Sequence, residues 1–385
     1  PAVEAAKNLG IEICEIKKID NAPAGIFNLY NKTTNFELAT ENNEALVLHT
    51  SGTTSRPKVV PLTNKNIFSS ATNIANSLQL SSQDHCYNIM PLFHIHGLIA
   101  VLSSSINAGA SVYASSGFNA LKFLETADKE SITWYSGVPT MHQAILMRAK
   151  KNPKLAEELS LRFIRSSSAS LPPAVFDELK KIFKTTVIEA YGMTEATHQM
   201  TSNPMPPEKQ KAGFVGKPAG PEVCIMDAQG NKLDSGVDGE VCIRGDNVTN
   251  GYENNEEANK TAFINGWFRT GDQGHFDDEG YLKISGRLKE IINRGGEKVS
   301  PLEVDNILME HEAVEQVVTF AVKDNLLGEA IGVAIVLKSG IECNEIDIKN
   351  YASKHLADFK IPKYIRFLEE IPKGATGKLQ RIGLA

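Results

Sequence analysis

The chain contains few cysteines, and none of them form a pattern that would build a disulfide framework or a zinc site. Its 385 residues include five cysteines, which are scattered without a CxxC pair. Isolated thiols of this kind are typical of a reducing compartment. We therefore expect reduced, partly buried cysteines and a protein of the cytosol or the peroxisome.

Long apolar runs and basic blocks are also missing. The longest apolar runs, residues 98–102 and 330–337, are far shorter than the roughly 20 residues of a bilayer span. The formal net charge is −6, without a Lys/Arg block, which argues against a nucleic-acid partner. We expect an enzyme acting on a small molecule, with no transmembrane segment and no recognisable signal peptide. Its oligomeric state stays open.

Hydrophobic periodicity divides the chain into three parts. From residue 45 to about 191, short β-rich runs alternate with amphipathic helical stretches, which favours a parallel α/β sheet that binds ligands at the carboxyl ends of its strands. Asp-Gly turns then predict a small antiparallel β subdomain over 204–286. Residues 287–385 mix helix and strand again, in a segment small enough to move as a unit.

A polar loop lies between a predicted strand, residues 45–49, and a predicted helix around 67–78. It reads TSGTTSRPK over residues 50–58. Hydroxyls, a glycine and cations in this position suit a loop that wraps phosphate oxygens with N–H, O–H and ammonium donors. The Walker A spacing is absent. A solvated Ser/Thr turn is the alternative for this loop taken alone.

The same loop resembles the phosphate loop of the adenylate-forming superfamily, which comprises acyl- and aryl-CoA ligases, luciferases and peptide-synthetase adenylation domains. Five further stretches resemble the other signatures of that family and follow in its order: PLFHIHG at 91–97, YGMTE at 191–195, GWFRTGD at 266–272, GRLKEII at 286–292 and PKGATGK at 372–378. The resemblance implies a large adenylation domain, 1–286, whose front is absent, and a mobile C-terminal α+β lid, 287–385, with a hinge near Lys289.

The resemblance also implies the substrates ATP and coenzyme A, the cofactor Mg²⁺, and roles for individual residues. Glu195 and Thr53 would hold the metal, and Thr194 would touch the α-phosphate. Lys378 would bring carboxylate and α-phosphate together, with His94 nearby. The residues expected to bind ATP or AMP are Thr50, Ser51, Gly52, Thr53, Thr54, Lys58, Glu189, Ala190, Tyr191, Thr194, Asp272, Arg287 and Lys378.

Coenzyme A would meet a different part of the lid. Gly295, Gly296 and Lys298 resemble the loop that the lid brings against the pantetheine arm, where glycines allow a narrow thiol channel close to the backbone. A moving lid cannot present Lys378 and this loop together. The two half-reactions should therefore use two lid orientations.

The acid is predicted from the residues expected to flank the acyl site, namely Ser168, His198 and His94. Hydroxyl and imidazole groups would leave donors unsatisfied against an alkyl chain, whereas they suit a second carboxylate. The TTSRPK form of the phosphate loop also resembles one branch of the family, the oxalate–CoA ligases. We expect oxalate as the acid. A broader acyl- or aryl-CoA ligase (4-coumarate-like or medium-chain) and a non-catalytic nucleotide-binding remnant are the alternatives.

Overall fold

The computed structural model describes residues 2–13, 16–19, 27–29, 38–50, 57–374, 376–381 and 383–384. The chain forms two compact units, residues 1–41 and 42–385. The first unit contains helix α1 (Ala2–Asn8) and two antiparallel strands, β1 (Ile16–Lys18) and β2 (Phe27–Leu29). All further description concerns the second unit.

In the described part of the second unit, helices pack with a seven-stranded sheet, two five-stranded sheets and a two-stranded sheet. Its strands are β3 (Glu44–His49), β4 (Val59–Thr63), β5 (His85–Asn88), β6 (Ser111–Ala114), β7 (Trp134–Gly137), β8 (Phe163–Ser166), β9 (Thr186–Met193), β10 (His198–Ser202), β11 (Lys217–Pro218), β12 (Glu222–Met226), β13 (Gly239–Arg244), β14 (Phe263–Ile264), β15 (Trp267–Phe276), β16 (Leu282–Arg287), β17 (Ile292–Arg294), β18 (Glu297–Val299), β19 (Val314–Asp324), β20 (Gly328–Leu337) and β21 (Tyr364–Phe367).

Its helices are α2 (Asn64–Ser77), α3 (Ser104–Asn107), α4 (Phe123–Lys129), α5 (Pro139–Lys151), α6 (Pro153–Glu158), α7 (Pro173–Phe183), α8 (Glu256–Ala262), α9 (Pro301–Met309) and α10 (Glu345–His355). A π-helix (His96–Ser103) leads into α3, and 3₁₀ turns cover Thr194–Ala196 and Asp358–Lys360. Among the described residues, no helix is long and apolar enough to cross a bilayer.

The central sheet has seven strands in the order β11-β10-β9-β8-β7-β5-β6. Strands β6, β5, β7, β8 and β9 are parallel, and β10 turns back antiparallel to β9. One apolar core, with Phe123, Ile145 and Leu179, covers one face of the sheet, and a second core with Ile74, Ile99 and Trp134 covers the other. The predicted parallel α/β sheet is confirmed.

The strand before the polar loop belongs to a different sheet from the one expected. Strand β3 pairs antiparallel with β4, and His49 lies opposite Val59. The loop therefore joins the two strands of a hairpin, and the prediction that it leads straight into a helix is wrong. The reason is the alternation in Val59–Thr63, which buries Val60 and Leu62 completely and thereby forms a half-buried strand.

Two smaller sheets complete the unit. Strands β12, β13, β15, β14 and β16 form an antiparallel sheet, and strands β18, β17, β20, β19 and β21 form another with its own core of Ile292, Val304, Ile331 and Ile348. The first of these sheets lies within residues 222–287 and the second within residues 292–367; the domain boundaries expected at 204 and 287 stay predictions. Helix α9 follows Ser300, whose side chain accepts a hydrogen bond from the N–H of Glu303.

Asp84 links three elements at the amino end of the sheet. It is 4% exposed and accepts hydrogen bonds from Arg162 Nε at 2.9 Å and Arg162 Nη2 at 3.0 Å. The backbone N–H of Ser81 donates to the same carboxylate at 2.8 Å, and Arg162 Nη1 donates to the carbonyl oxygen of Leu78 at 3.2 Å. The pair thus ties the end of α2 to strands β5 and β8.

Asp84→Asn should lower the free energy of unfolding by about 2–3 kcal/mol, because a charged, bidentate partner of Arg162 is lost from a buried position. The measurement is the shift of the urea-unfolding transition. Lys154→Ala is the control, since Lys154 and Glu158 are exposed and 3.9 Å apart. Equal transitions for the two variants would contradict the anchoring role of Asp84.

Candidate active site

A buried carboxylate organises one end of the cleft. Asp272 on β15 lies opposite Arg287 on β16, and Arg287 Nε donates to Asp272 Oδ1 at 2.9 Å. The hydroxyl of Tyr191 donates to the other oxygen, Oδ2. The attraction of Asp272 raises the pKa of Arg287. Tyr191, Asp272 and Arg287, all three predicted to bind ATP or AMP, are therefore in contact with one another.

The ends of the polar loop are held together. The N–H of Thr50 donates to the carbonyl oxygen of Lys58 at 2.9 Å, and the N–H of Lys58 donates to Thr50 Oγ1 at 3.0 Å. The other predicted phosphate ligands, Ser51, Gly52, Thr53 and Thr54, lie outside the described residues. The Lys58 ammonium is 4.2 Å from the centre of the Tyr252 ring, so this cation is positioned by an aromatic face.

Glu195 and Tyr252 form a buried pair next to that lysine. Glu195 is 6% exposed, and Tyr252 donates its hydroxyl proton to Glu195 Oε1 at 2.8 Å. Burial lowers the pKa of Lys58, and the charge of Glu195 opposes that shift. Thr194 begins the 3₁₀ turn that carries Glu195. Tyr252 was not predicted from the sequence, because it lies outside the matched motifs.

A magnesium ion at Glu195 would need ligands that the protein does not supply there. Among the described residues, no group of three or more His, Cys, Asp or Glu side chains could hold a metal. Mg²⁺ is commonly bound by one or two carboxylates together with substrate phosphates and water. A single buried carboxylate beside Lys58 therefore fits a metal that arrives with a nucleotide.

Lys378 lies in the same cleft. Its loop is docked on α5, where Thr140 Oγ1 donates to the carbonyl oxygen of Gly377 at 2.8 Å. Burial lowers the pKa of Lys378 to about 8, and the nearby Arg287 contributes in the same direction while Asp272 opposes it. His94 is also close, because burial and then the charge of Lys378 lower its pKa to about 4.

The predicted acid-binding residues meet around a histidine that the sequence reasoning passed over. Ser168 Oγ lies 3.0 Å from His96 Nδ1, and the rings of His96 and His198 are 5.2 Å apart between centroids. His94 Nδ1 accepts a hydrogen bond from the N–H of His96 at 3.1 Å. His96 belongs to the same PLFHIHG stretch as His94, two residues further along the chain. That spacing is the feature of the sequence from which His96 could have been predicted.

His198 is buried without a partner. It is 1% exposed, and among the described residues neither Nδ1 nor Nε2 has a hydrogen-bond partner. Burial lowers its pKa well below the ordinary histidine value, and the charges of Arg165, His94 and Lys378 add to the shift. The ring is thus neutral, with one N–H and one lone pair free for a ligand.

The backbone around His198 adopts an unusual conformation. Thr197 and His198 have φ angles of 51° and 102°, in the left-handed region that costs non-glycine residues roughly 1–2 kcal/mol each. The amide of Asn247 donates to the carbonyl oxygens of Ala196 at 2.9 Å and Gln199 at 3.0 Å. Gly192 makes room, because a Cβ there would lie 1.8 Å from the His198 carbonyl oxygen.

A fully buried arginine lies behind these histidines. Arg165 is 0% exposed, Nη1 donates to Ser136 Oγ at 3.3 Å, and Nη2 donates to Gln199 Oε1 at 3.1 Å. Ser136 Oγ is in turn 2.6 Å from His96 Nε2. Arg165, Ser136 and Gln199 were not among the residues predicted from the sequence. Arg165 lies in the buried strand β8. A charged residue within such a strand was the one signal in the sequence that could have pointed to it.

Glu189 and Ala190 lie on β9 beside the cleft. The N–H of Leu171 donates to Glu189 Oε1 at 2.9 Å, while Oε2 has no partner among the described residues. Burial raises the pKa of Glu189 to about 8, and the Leu171 N–H opposes the shift. The carbonyl oxygen of Ala190 accepts from Ser167 Oγ at 2.8 Å. Both residues are almost completely buried.

The residues predicted to meet coenzyme A are on the lid. Gly295 and Gly296 form the turn between β17 and β18 with φ angles of 62° and 99°, and the N–H of Gly295 donates to the carbonyl oxygen of Leu327 at 2.8 Å. Lys298 on β18 is exposed. Lys289 is exposed as well, and its charge contributes to the lowered pKa of Lys58. The described contacts of the glycine turn therefore lie within the lid.

Two family models match the chain. The model of the AMP-binding enzyme covers residues 7–253, and that of the AMP-binding enzyme C-terminal domain covers residues 303–378. The chain belongs to the AMP-binding enzyme family. Membership confirms the resemblance drawn from the six motifs.

Individual AMP-binding enzymes are closely similar to this chain. The oxalate–CoA ligase of Arabidopsis thaliana is 48% identical over 389 aligned residues, which cover 99% of this chain and 76% of the plant protein. The oxalate–CoA ligase of Saccharomyces cerevisiae is 49% identical, with 89% of this chain and 63% of the yeast protein covered. The chain thus spans 63% to 76% of the length of these relatives.

The fold is also that of solved AMP-binding enzymes. The O-succinylbenzoate coenzyme A synthetase MenE from Bacillus subtilis, in complex with ATP and magnesium ion, superimposes with a TM-score of 0.80 at 31% sequence identity. The match covers 92% of this chain and 73% of that structure. The predicted fold class is therefore confirmed: a large domain that contains the central sheet, and a C-terminal domain.

The lowered pKa of Lys378 can be measured directly. With reductively ¹³C-methylated lysines, the resonance lost in Lys378→Arg should titrate near pH 8. In Thr140→Val the same resonance should titrate at higher pH, because undocking the Gly377 loop relieves the burial that is the main cause of the shift. Titration at the ordinary lysine pKa in the unaltered protein would contradict the docked position of Lys378.

Proposed function

We propose that this protein is an ATP- and Mg²⁺-dependent acid–CoA ligase. It adenylates a small carboxylic acid, oxalate, with release of pyrophosphate, and then transfers the acyl group to coenzyme A with release of AMP. Support comes from family membership and from two relatives that are oxalate–CoA ligases. The observation that carries the choice of acid is His198, buried with both ring nitrogens unpartnered.

In the first half-reaction a carboxylate oxygen attacks the α-phosphorus of ATP, and pyrophosphate leaves. Asp272, held by Tyr191 and Arg287, accepts hydrogen bonds from the ribose hydroxyls. Lys378 lies within the influence of Asp272 and His94, where an ammonium stabilises charge on both reacting groups. Bound through Glu195, Mg²⁺ would supply Lewis-acid stabilisation of the phosphate oxygens.

The acid site favours a second carboxylate over a hydrocarbon. Burying His198 without a partner costs about 1–3 kcal/mol, and an apolar substrate would leave that cost in place. An oxalate oxygen would accept the His198 N–H, and Ser168 beside His96 offers a second polar contact. Arg165, buried behind them without a carboxylate partner among the described residues, adds a positive field in a low-dielectric environment.

The second half-reaction requires the lid to turn. The C-terminal segment, 287–385, has its own apolar core, so it can move about the hinge near Lys289 as a unit while 1–286 stays in place. Lys378 would then leave the cleft, and the Gly295–Gly296 turn with Lys298 would approach it. The thiol of coenzyme A attacks the acyl carbonyl there, and AMP leaves.

We also propose a setting for this activity. Cys86, Cys224, Cys242 and Cys343 are free thiols, which supports a reducing compartment, the cytosol or the peroxisome. A net charge of −6 without a basic block supports small-molecule substrates and no nucleic-acid partner.

Pyrophosphate release with a panel of acids tests the proposed substrate. We expect oxalate to be preferred over acetate, hexanoate and a cinnamate. His198→Ala should reduce kcat/KM for oxalate by roughly ten- to a hundredfold, because a charge-assisted hydrogen bond is lost. Weak activity on hexanoate should be kept or improved.

The ratio of the two activities separates substrate recognition from folding, since a folding defect lowers both. His85→Ala is the matched control, because His85 lies at the opposite end of β5 and contacts Ser111. An oxalate-to-hexanoate ratio unchanged in His198→Ala would sink the dicarboxylate assignment and favour a broader acyl-CoA ligase. No pyrophosphate release with any acid would favour a non-catalytic nucleotide-binding protein.

Lys378→Ala tests the division of labour between lid orientations. Adenylate formation from acid and ATP should fall by roughly a hundredfold or more, because a positioned cation is lost from the transition state. Thioester formation from a supplied acyl-adenylate should be largely spared, since Lys378 has left the cleft by then. Equal losses in the two assays would refute the two-orientation scheme.

A further inference from the structure

The hydrogen bonds of the buried arginine have a fixed direction. A guanidinium has five N–H donors and no acceptor, so Ser136 Oγ must accept from Arg165 Nη1. The hydroxyl proton of Ser136 is then available for one further acceptor. Among the described residues, the only acceptor in contact with that hydroxyl is His96 Nε2, at 2.6 Å.

This arrangement favours one tautomer of His96, because a Ser136 oxygen that accepted from both Arg165 and His96 would leave its own buried proton without an acceptor among the described residues. Burial lowers the pKa of His96 well below the ordinary value, and the charges of His198 and Arg165 add to the shift, so the ring is neutral and carries a single N–H. If Nε2 accepts from Ser136, the proton is on Nδ1. Nδ1–H then donates to Ser168 Oγ, 3.0 Å away.

Ser168, the last residue in this series of hydrogen bonds, has a hydroxyl proton that is not used within the series. Ser168 Oγ accepts from His96, so its own O–H is not needed for that bond. Ser168 is also held with a φ angle of 73° and is partly exposed, while Ser136 and His96 are fully buried. The hydroxyl of Ser168, the one partly exposed member of the series, is therefore free to act as a donor.

We propose that Arg165, Ser136 and His96 form a one-way hydrogen-bond relay that fixes Ser168 as a donor to the second carboxylate of the substrate. Arg165 is in this sense a positioning residue, because it acts on the acid through two intervening side chains. The identity of the recipient rests on the proposed function. The direction of the relay is a property of the protein alone.

Without the arginine the relay can reverse. His96 Nε2–H could donate to Ser136, and Ser168 would then donate its proton to His96 Nδ1. Ser168 would turn only lone pairs toward a carboxylate, which repel it. An apolar acid would be nearly indifferent to the change, because it accepts no hydrogen bond from either form.

Two substitutions interrupt the relay at different points. Arg165→Met removes the obligate donor, and Ser136→Ala removes the link between Arg165 and His96. Each should lower kcat/KM for oxalate relative to hexanoate by roughly tenfold or more, and the double variant should be little worse than Ser136→Ala, since the residues act in series. Ser167→Ala is the control, because this neighbouring buried serine donates to Ala190 and stands outside the relay.

The tautomer of His96 gives a second readout that needs no substrate. In protein labelled with ¹⁵N-histidine, the spectrum of the neutral ring, identified by its loss in His96→Gln, should show the proton on Nδ1. Arg165→Met and Ser136→Ala should shift the population toward Nε2–H, whereas Ser167→Ala should not.

A proton found on Nε2 in the unaltered protein would overturn the relay. So would an oxalate-to-hexanoate ratio that stays unchanged in Arg165→Met while the stability of the protein falls, because that result would make the arginine purely structural. If the proton is on Nδ1 but the unaltered enzyme shows no preference for oxalate, the relay stands and the proposed substrate is wrong.

Discussion

The parallel arrangement of β5, β7, β8 and β9 is the constraint on which the rest of the molecule depends. Parallel strands end at one edge of a sheet, so the polar residues that follow them are delivered to the same place. Ser136, Ser166 and Glu189 lie at that edge. The surrounding cores exclude water there, which strengthens each hydrogen bond and makes each unpaired polar atom expensive.

Much of this architecture could be predicted from the sequence because the elements obey local rules. The strand–helix alternation between 45 and 191 and the Asp-Gly turns after 203 produced the right sheets with ends shifted by a few residues. Helix α9 shows such a local rule, because Pro301 lies in its first turn and the side chain of Ser300 caps it. Strand β3 was assigned to the wrong sheet, since a short apolar run does not reveal its partner.

The residues of the candidate site also fall into two groups, those that the sequence predicts and those that it does not. Residues inside ordered motifs, such as Glu195, Asp272 and Lys378, could be singled out without a structure. Ser136, Arg165 and Tyr252 could not, because their importance comes from neighbours distant in the chain: Tyr252 contacts Glu195 57 residues away, and Arg165 contacts Ser136 29 residues away. Burial of a charge in a strand becomes informative only when its partners are known.

The turn that carries His198 is held by hydrogen bonds from Asn247, a residue that follows a strand of another sheet. Asn247 follows β13 in the β subdomain, yet its amide holds the carbonyl oxygens on both sides of Thr197 and His198, and its own carbonyl oxygen accepts from Thr197 Oγ1 at 2.7 Å. The geometry of the proposed acid site around His198 thus depends on two parts of the chain that are distant in sequence. Chimeras that exchange the β subdomain between ligases of different acids would therefore inherit or lose selectivity with Asn247, even though none of the exchanged residues needs to touch the acid.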